Sequence, residues 1–169
     1  MVRETKKVFG GGCHWCTEAV FQSLKGVDKV EQGFVASTGI NSTFSEAVII
    51  YFNAKEINLK KLVEIHLHTH KSKSNHSMRK KYRSAIYVFS ESQRTSIHSF
   101  INLLQPQFNN KIITQILDFN EFKPSLEQFQ DYYKKNPRKP FCEKFIHPKL
   151  KLLQQQFSKE LKTTTLSYI

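Results

Sequence analysis

The chain has 169 residues, 39 % of them hydrophobic and 14 of them Phe, which supplies the apolar bulk of one folded core and excludes intrinsic disorder or two ordinary domains. No apolar run approaches the ~20 residues of a membrane span, the opening stretch Met1–Lys7 lacks the apolar segment of a secretory signal, and three cysteines are too few and too odd for a disulfide-stapled scaffold. We therefore expect a cytoplasmic protein with no membrane role, in which any thiol chemistry is redox or catalytic.

The formal net charge of +12 invites a nucleic-acid reading, but its distribution argues against one. Residues 1–59 hold six basic and six acidic side chains, whereas Lys60–Arg83 alone carries +7. No zinc finger, G-x-x-G clamp or RNP-type aromatic motif accompanies that stretch, so no nucleic-acid partner is expected.

In chain order, Lys7–Phe9 reads as a strand that runs into Gly10-Gly11-Gly12, three residues that permit unusual backbone angles. A helix then opens at Cys13, with Ala19, Val20 and Leu24 on one face and Gly26 at its C-cap. Val27–Ala36 predicts a strand ending at the Ser37-Thr38-Gly39 turn, and Ala47–Phe52 is an unbroken β-branched and aromatic run that belongs at the centre of a sheet. A helix over Ile57–Thr69 precedes the basic loop Lys71–Lys81, and a strand is expected at Ser84–Phe89. Ser90 caps a helix to Leu104, with Ile97, Phe100, Ile101 and Leu104 at helical spacing. A strand over Ile112–Leu117, a short helix over Ser125–Lys134 and a mobile tail with Pro137, Pro140 and Pro148 complete the chain. The alternation fits an α/β or an α+β sandwich, and pattern alone leaves both open.

The chemistry lies in Gly10-Gly11-Gly12-Cys13-His14-Trp15-Cys16-Thr17-Glu18. Unpaired N–H groups and the dipole at a helix start lower the pKa of a thiol placed there, so Cys13 suits a thiolate nucleophile. The glycines allow a substrate close to the backbone, and Trp15 offers an apolar wall.

Phe9–Ala19 resembles the signature of the A-type peptide methionine sulfoxide reductases, whose usual form is GCFW. The resemblance continues through Gly39–Phe52, Tyr82-Arg83-Ser84-Ala85-Ile86-Tyr87, Gln130–Pro137, Phe141-Cys142 and Pro148-Lys149-Leu150, in family order over about residues 7–150. It implies a single domain over residues 1–169, an α+β two-layer sandwich with a central mixed sheet and a ferredoxin-like core, with residues 135–169 a C-terminal tail packed on it. It also implies thiol-dependent reduction of methionine S-sulfoxide, free or in proteins, with no cofactor and with thioredoxin or a similar dithiol as reductant. Cys13 would attack the sulfoxide sulfur. Glu46, arriving protonated, would protonate the oxygen so that it leaves as water, and Tyr82 would hydrogen-bond that oxygen. Cys13 becomes a sulfenic acid that a second thiol must resolve. The resemblance favours Cys142 on its tail as the first resolver, with Cys16, one helical turn on, as second-step or alternative partner.

The departures cluster at the site. His14 stands where the family has an aromatic beside Trp15, Phe34 where it has a second oxygen-binding tyrosine, Phe44 and Phe129 where it has histidines, and the loop before Tyr82 is about four residues short. Trp15, His14 and Phe34 are the expected substrate-binding residues, and one lost oxygen donor costs about 10²–10³ in rate if nothing compensates. His14 could compensate by holding the thiolate or donating to the oxygen. His66, His68, His70 and His76 fall at spacings that do not converge on a helix, so a solvated polar face and no metal are expected. Two further readings are a weakened paralog that binds or reduces another sulfoxide, and a thiol-disulfide or metal-binding module built on Cys13 and Cys16.

Overall fold

A computed structural model describes residues 5–164. Strand β1 (Thr5–Gly10) leads into helix α1 (His14–Gln22), which returns the chain to β2 (Val27–Ala36) and β3 (Ser45–Phe52). Helix α2 (Leu59–Thr69) then precedes β4 (Ala85–Val88). These four strands lie in the order β4-β1-β3-β2, all neighbours antiparallel, so β3 is inserted between the strands of the β1-α1-β2 crossover, the split βαβ arrangement of ferredoxin-like folds. Helix α3 (Glu91–Leu104) carries the chain to β5 (Gln115–Asp118), parallel to β4, and β6 (Glu121–Pro124) closes the other edge against β2. The result is a six-stranded mixed sheet, and the α+β alternative is the one realised.

Burial explains the order. The run Ala47–Phe52 is buried apart from Tyr51 and sits between β1 and β2, as an all-apolar strand must. One sheet face presents Phe9, Val48, Ile50 and Ile86 to the helices, where they pack with Phe21, Leu62, Ile97 and Leu150. The opposite face carries a smaller cluster of Val8, Val35, Ala47, Ile49, Ala85 and Tyr87. Asn58 and Ser90 cap α2 and α3 by accepting from the N–H groups of Lys61 and Gln93.

Four expectations need correction. The glycines 10–12 do not adopt positive φ, which occurs among glycines at Gly26 (φ 86°) and Gly39 (φ 61°). Gly10 and Gly11 are needed for clearance instead: a Cβ on Gly11 would lie 2.6 Å from the His70 ring and one on Gly10 3.1 Å from the Arg83 and Glu46 carbonyls, whereas Gly12 faces open space. Gly26 does not cap α1, which ends at Gln22 with Ser23 as its cap, but turns the chain into β2. The segment 125–134 is not one helix: a 3-10 turn Glu127–Phe129 and a single helical turn α4 (Tyr132–Lys135) are separated by Asp131 at φ 55°. The proline-bearing tail is not loose. A π-helical turn Cys142–Ile146 runs into α5 (His147–Gln156), with Pro148 in the first turn of α5, and Cys142, Ile146, Leu150 and Leu153 are all fully buried. No helix among the described residues is long and apolar enough to cross a membrane.

Candidate functional site

Cys13 is the N-cap of α1, directly after the glycine turn that ends β1. The turn is held from two directions. His66 of α2 donates from Nε2 to Gly10 O at 2.8 Å, and Arg79 Nη1 donates to Gly11 O at 3.0 Å and to Tyr82 O at 2.9 Å, tying the basic loop over the turn. His70 reaches Ser84 Oγ at 2.8 Å. His66 and His70 are therefore structural members of the interior, not part of a solvated face. Burial holds His66 neutral, down to about 4, and His70 well below its usual range. No group of three or more His, Cys, Asp or Glu suited to a metal occurs among the described residues.

The Cys13 thiol is shifted toward the thiolate chiefly by a hydrogen bond from the Cys16 thiol, against the cost of burial, with help from the N–H groups of Trp15 and Cys16 and opposition from Glu46. The helix start contributes as expected, but the second cysteine contributes more. Donating to Cys13, and buried itself, Cys16 is pushed strongly up and keeps its proton. Lys149 of α5, whose ammonium donates to Thr69 O, is held below the usual range by burial. Sequence reasoning gave Lys149 no role.

Glu46, 6 % exposed, faces the start of α1 from the second position of β3. Its Oε1 accepts from the His14 N–H at 3.2 Å and lies 3.3 Å from His14 Nε2, while Lys81 Nζ is 3.8 Å from Oε2. His14 Nδ1 meets Gly33 O at 2.8 Å, and burial favours the neutral ring. His14 is thus turned to Glu46 and Gly33 rather than to the thiolate. Phe34 lies opposite Glu46 in the β2–β3 pair and packs edge-on against His14, ring centroids 5.0 Å apart. Tyr82 follows Lys81, whose ammonium lies 5.0 Å above its ring. Ser45 fixes this loop end by donating to Lys81 O at 2.9 Å and accepting from the Arg83 N–H at 2.7 Å.

Beside this group opens a cavity of about 380 Å³ lined by His14, Trp15, Phe34 and Phe129, with Lys123 and Ser125 on its rim. The three expected substrate-binding residues share that one wall. Trp15 stacks on Tyr132 at 4.0 Å and 3°, and Phe141 meets it edge-on. Tyr132 is placed there by Glu18, which sequence reasoning left unassigned: its carboxylate accepts from Gln32 Nε2 and from the N–H groups of Asp131 and Tyr132 at 3.0–3.1 Å. A lone acid among Ala19, Val20 and Phe21 was the available signal. Cys142 stands apart from the cavity, 0 % exposed, its Sγ donating to Asn136 O at 3.6 Å.

The chain that carries this helix-start thiolate, second thiol, buried carboxyl and aromatic cavity is similar to known proteins over most of its length. The family model described as peptide methionine sulfoxide reductase matches residues 5–161. The Pasteurella multocida protein named peptide methionine sulfoxide reductase MsrA is 34 % identical over 156 residues, covering 84 % of this chain and 90 % of its own. Among solved structures, reduced Mxr1 from Saccharomyces cerevisiae superposes with a TM-score of 0.73 at 21 % identity, over 83 % of this chain and 90 % of its own. Mxr1 in complex with Trx2 gives 0.61 at 20 % identity, over 77 % and 85 %. The fold, the ordered motifs and the extent of the match together show that this chain belongs to the peptide methionine sulfoxide reductase family.

Proposed function

We propose that the chain reduces the S epimer of methionine sulfoxide, free or in proteins, in the cytoplasm, with Cys13 as nucleophile and Glu46 as acid. The carrying observation is that a thiol shifted toward its thiolate and a buried carboxyl stand together where β1 ends and β3 begins, beside an aromatic cavity. The Cys13 thiolate bonds to the sulfoxide sulfur while one proton passes to the oxygen, to which Tyr82 also donates; the S–O bond breaks, and the hydroxide released then bonds to the Cys13 sulfur as the bond from Cys13 to the substrate sulfur breaks. In sum, Cys13–S⁻, R₂S=O and H⁺ become Cys13–SOH and R₂S: the substrate sulfur gains two electrons and Cys13 loses two. His14, Trp15 and Phe34 form the wall that holds the substrate's methyl group and stem.

Cys16 resolves the sulfenic acid first in this scheme, because it already donates to Cys13 whereas Cys142 is enclosed in a helical turn. What holds the proton on Cys16 is chiefly its bond to the Cys13 sulfur, and that bond loses its charged acceptor once Cys13 is oxidised. Cys16–SH and Cys13–SOH give a disulfide and water. Cys142 then exchanges with that disulfide, and a dithiol protein of the thioredoxin kind, the partner in the Mxr1–Trx2 complex, restores both thiols.

The test is single-turnover methionine formation from each sulfoxide epimer by the wild type and by Cys13→Ser, followed by disulfide mapping. Methionine from the S epimer by the wild type only, with Cys13–Cys16 as the first disulfide, is the expected result. Methionine formation by Cys13→Ser at the wild-type rate would overturn the reading, and a first disulfide to Cys142 would reverse the thiol order.

A further inference from the structure

The His14–Glu46 contact fixes which nitrogen carries which proton. A carbonyl oxygen only accepts, so the 2.8 Å contact with Gly33 O puts a proton on His14 Nδ1. In a neutral ring Nε2 is then bare, and it faces Glu46 Oε1 at 3.3 Å. A bare nitrogen and a carboxylate oxygen are both acceptors and would repel, in a place where His14 is 7 % and Glu46 6 % exposed. One further proton turns the contact into a hydrogen bond, whichever atom carries it. Without that proton the pair is a buried net negative charge beside a thiolate.

We propose that His14 and Glu46 jointly hold the single proton that the sulfoxide oxygen receives, which makes His14 a positioning residue that keeps the acid of this chain loaded. The proposal deepens the reductase reading and rests on it. The aromatic that the family signature places at position 14 has no seat for a proton; the imidazole has one, aimed at the acid.

The surroundings agree. Facing the pair are the Cys13 sulfur at the start of α1, the Gly33 carbonyl and Phe34 ring of β2, and Lys81 from the loop before β4. Lys81, exposed, holds its ammonium 3.8 Å from Oε2, on the far side of the carboxyl from the His14 ring. Charge on Glu46 opposes the Cys13 thiolate, so a loaded pair also eases formation of the nucleophile. The proton count closes over one cycle. The loaded pair, Cys13–S⁻ and R₂S=O give the unloaded pair, Cys13–SOH and R₂S. When the dithiol restores Cys13–SH, that thiol ionises again and releases one proton, matching the one the pair takes back.

The experiment is the pH dependence of single-turnover methionine formation from the S-sulfoxide by the wild type, His14→Phe and His14→Asn. The Asn amide keeps a donor for Gly33 O but cannot hold the proton. Removing the second seat should move the alkaline limb toward acid by about one pH unit in both variants. A limb unmoved in both, or moved in His14→Phe alone, would assign His14 a merely structural role and overturn the proposal. Independently of any variant, nitrogen NMR of the wild type should show His14 Nδ1 protonated throughout, with the change confined to Nε2; a neutral ring protonated on Nε2 instead would also overturn it. Wild-type protein that forms no methionine from either epimer would defeat the reductase reading, and the ring measurement would then still decide on the pair.

Discussion

Cys13 has two sides made of different material. Toward β3 stand Glu46, His14 and Lys81, joined by polar contacts of 3.2–3.8 Å and reaching solvent through the exposed Lys81. Toward the C-terminal helices stand Cys16 and Cys142, both buried, and Lys149, whose ammonium burial disfavours. Protons must be exchanged with water at every turnover, whereas a sulfenic acid has to be met by a thiol before another oxidant reaches it. The polar side suits the first requirement and the enclosed side the second.

The sharpest break in the proton side is Glu46→Gln, which keeps size and shape but has no acidic proton. Single-turnover methionine formation should fall by about 10²–10⁴-fold. Alkylation of Cys13 by iodoacetamide should meanwhile shift to lower pH, because a charge that opposes the thiolate is gone. A loss below tenfold would mean that the proton comes from elsewhere, with Tyr82 the next group to test.

Both sides stand on the glycine turn, and the turn stands on His66, buried between Phe9 and Phe21 at ring distances of 5.0 and 6.0 Å. Its folded-state value of about 4 lies below the ordinary 6.5. Above the ordinary value neither state binds the proton and the fold keeps its full stability. Between that value and about 4 the unfolded chain binds a proton that the folded chain refuses, so stability falls with pH, by about 3 kcal/mol in all. His70, also held neutral by burial, acts in the same direction. Urea unfolding compared at neutral pH and near pH 4.5 should show this loss, and His66→Gln should reduce it. An equal loss in the variant would place the titrating group elsewhere.

The two sides were also unequally legible in the sequence. On the proton side, β1, the glycine turn and β3 announce themselves because an apolar strand ending in glycines and an unbroken β-branched run have few structural alternatives, and the resemblance in the motifs points to Cys13, Glu46, Tyr82 and Phe34. What stayed hidden there was direction: nothing in the sequence turns the His14 ring toward Glu46 instead of Cys13, since the contact depends on the Gly33 carbonyl of another strand. The thiol side was misread more seriously. Prolines 137, 140 and 148 suggested a mobile tail, yet Pro148 sits where a helix tolerates it, and the burial of Cys142, Ile146 and Leu150 is set by distant partners on α1 and α2. Strand β6 was not expected at all, because Glu121-Phe122-Lys123-Pro124 is a short, polar edge that pairs only with β2.

On the thiol side the comparison turns on whether Cys13 owes its thiolate to the helix start or to its neighbour. Both act, but the hydrogen bond from Cys16 is the larger influence. Cys16→Ala removes the donor and leaves the helix start, the N–H groups of Trp15 and residue 16, and Glu46 in place. The pH at which iodoacetamide traps Cys13 should then rise by about one unit. At a pH above that midpoint, one equivalent of methionine should still form, while dithiol-driven steady-state turnover declines because the first resolving thiol is missing. An unmoved alkylation profile would return the thiolate to the helix start alone, and unchanged steady-state turnover would make Cys142 the first resolver.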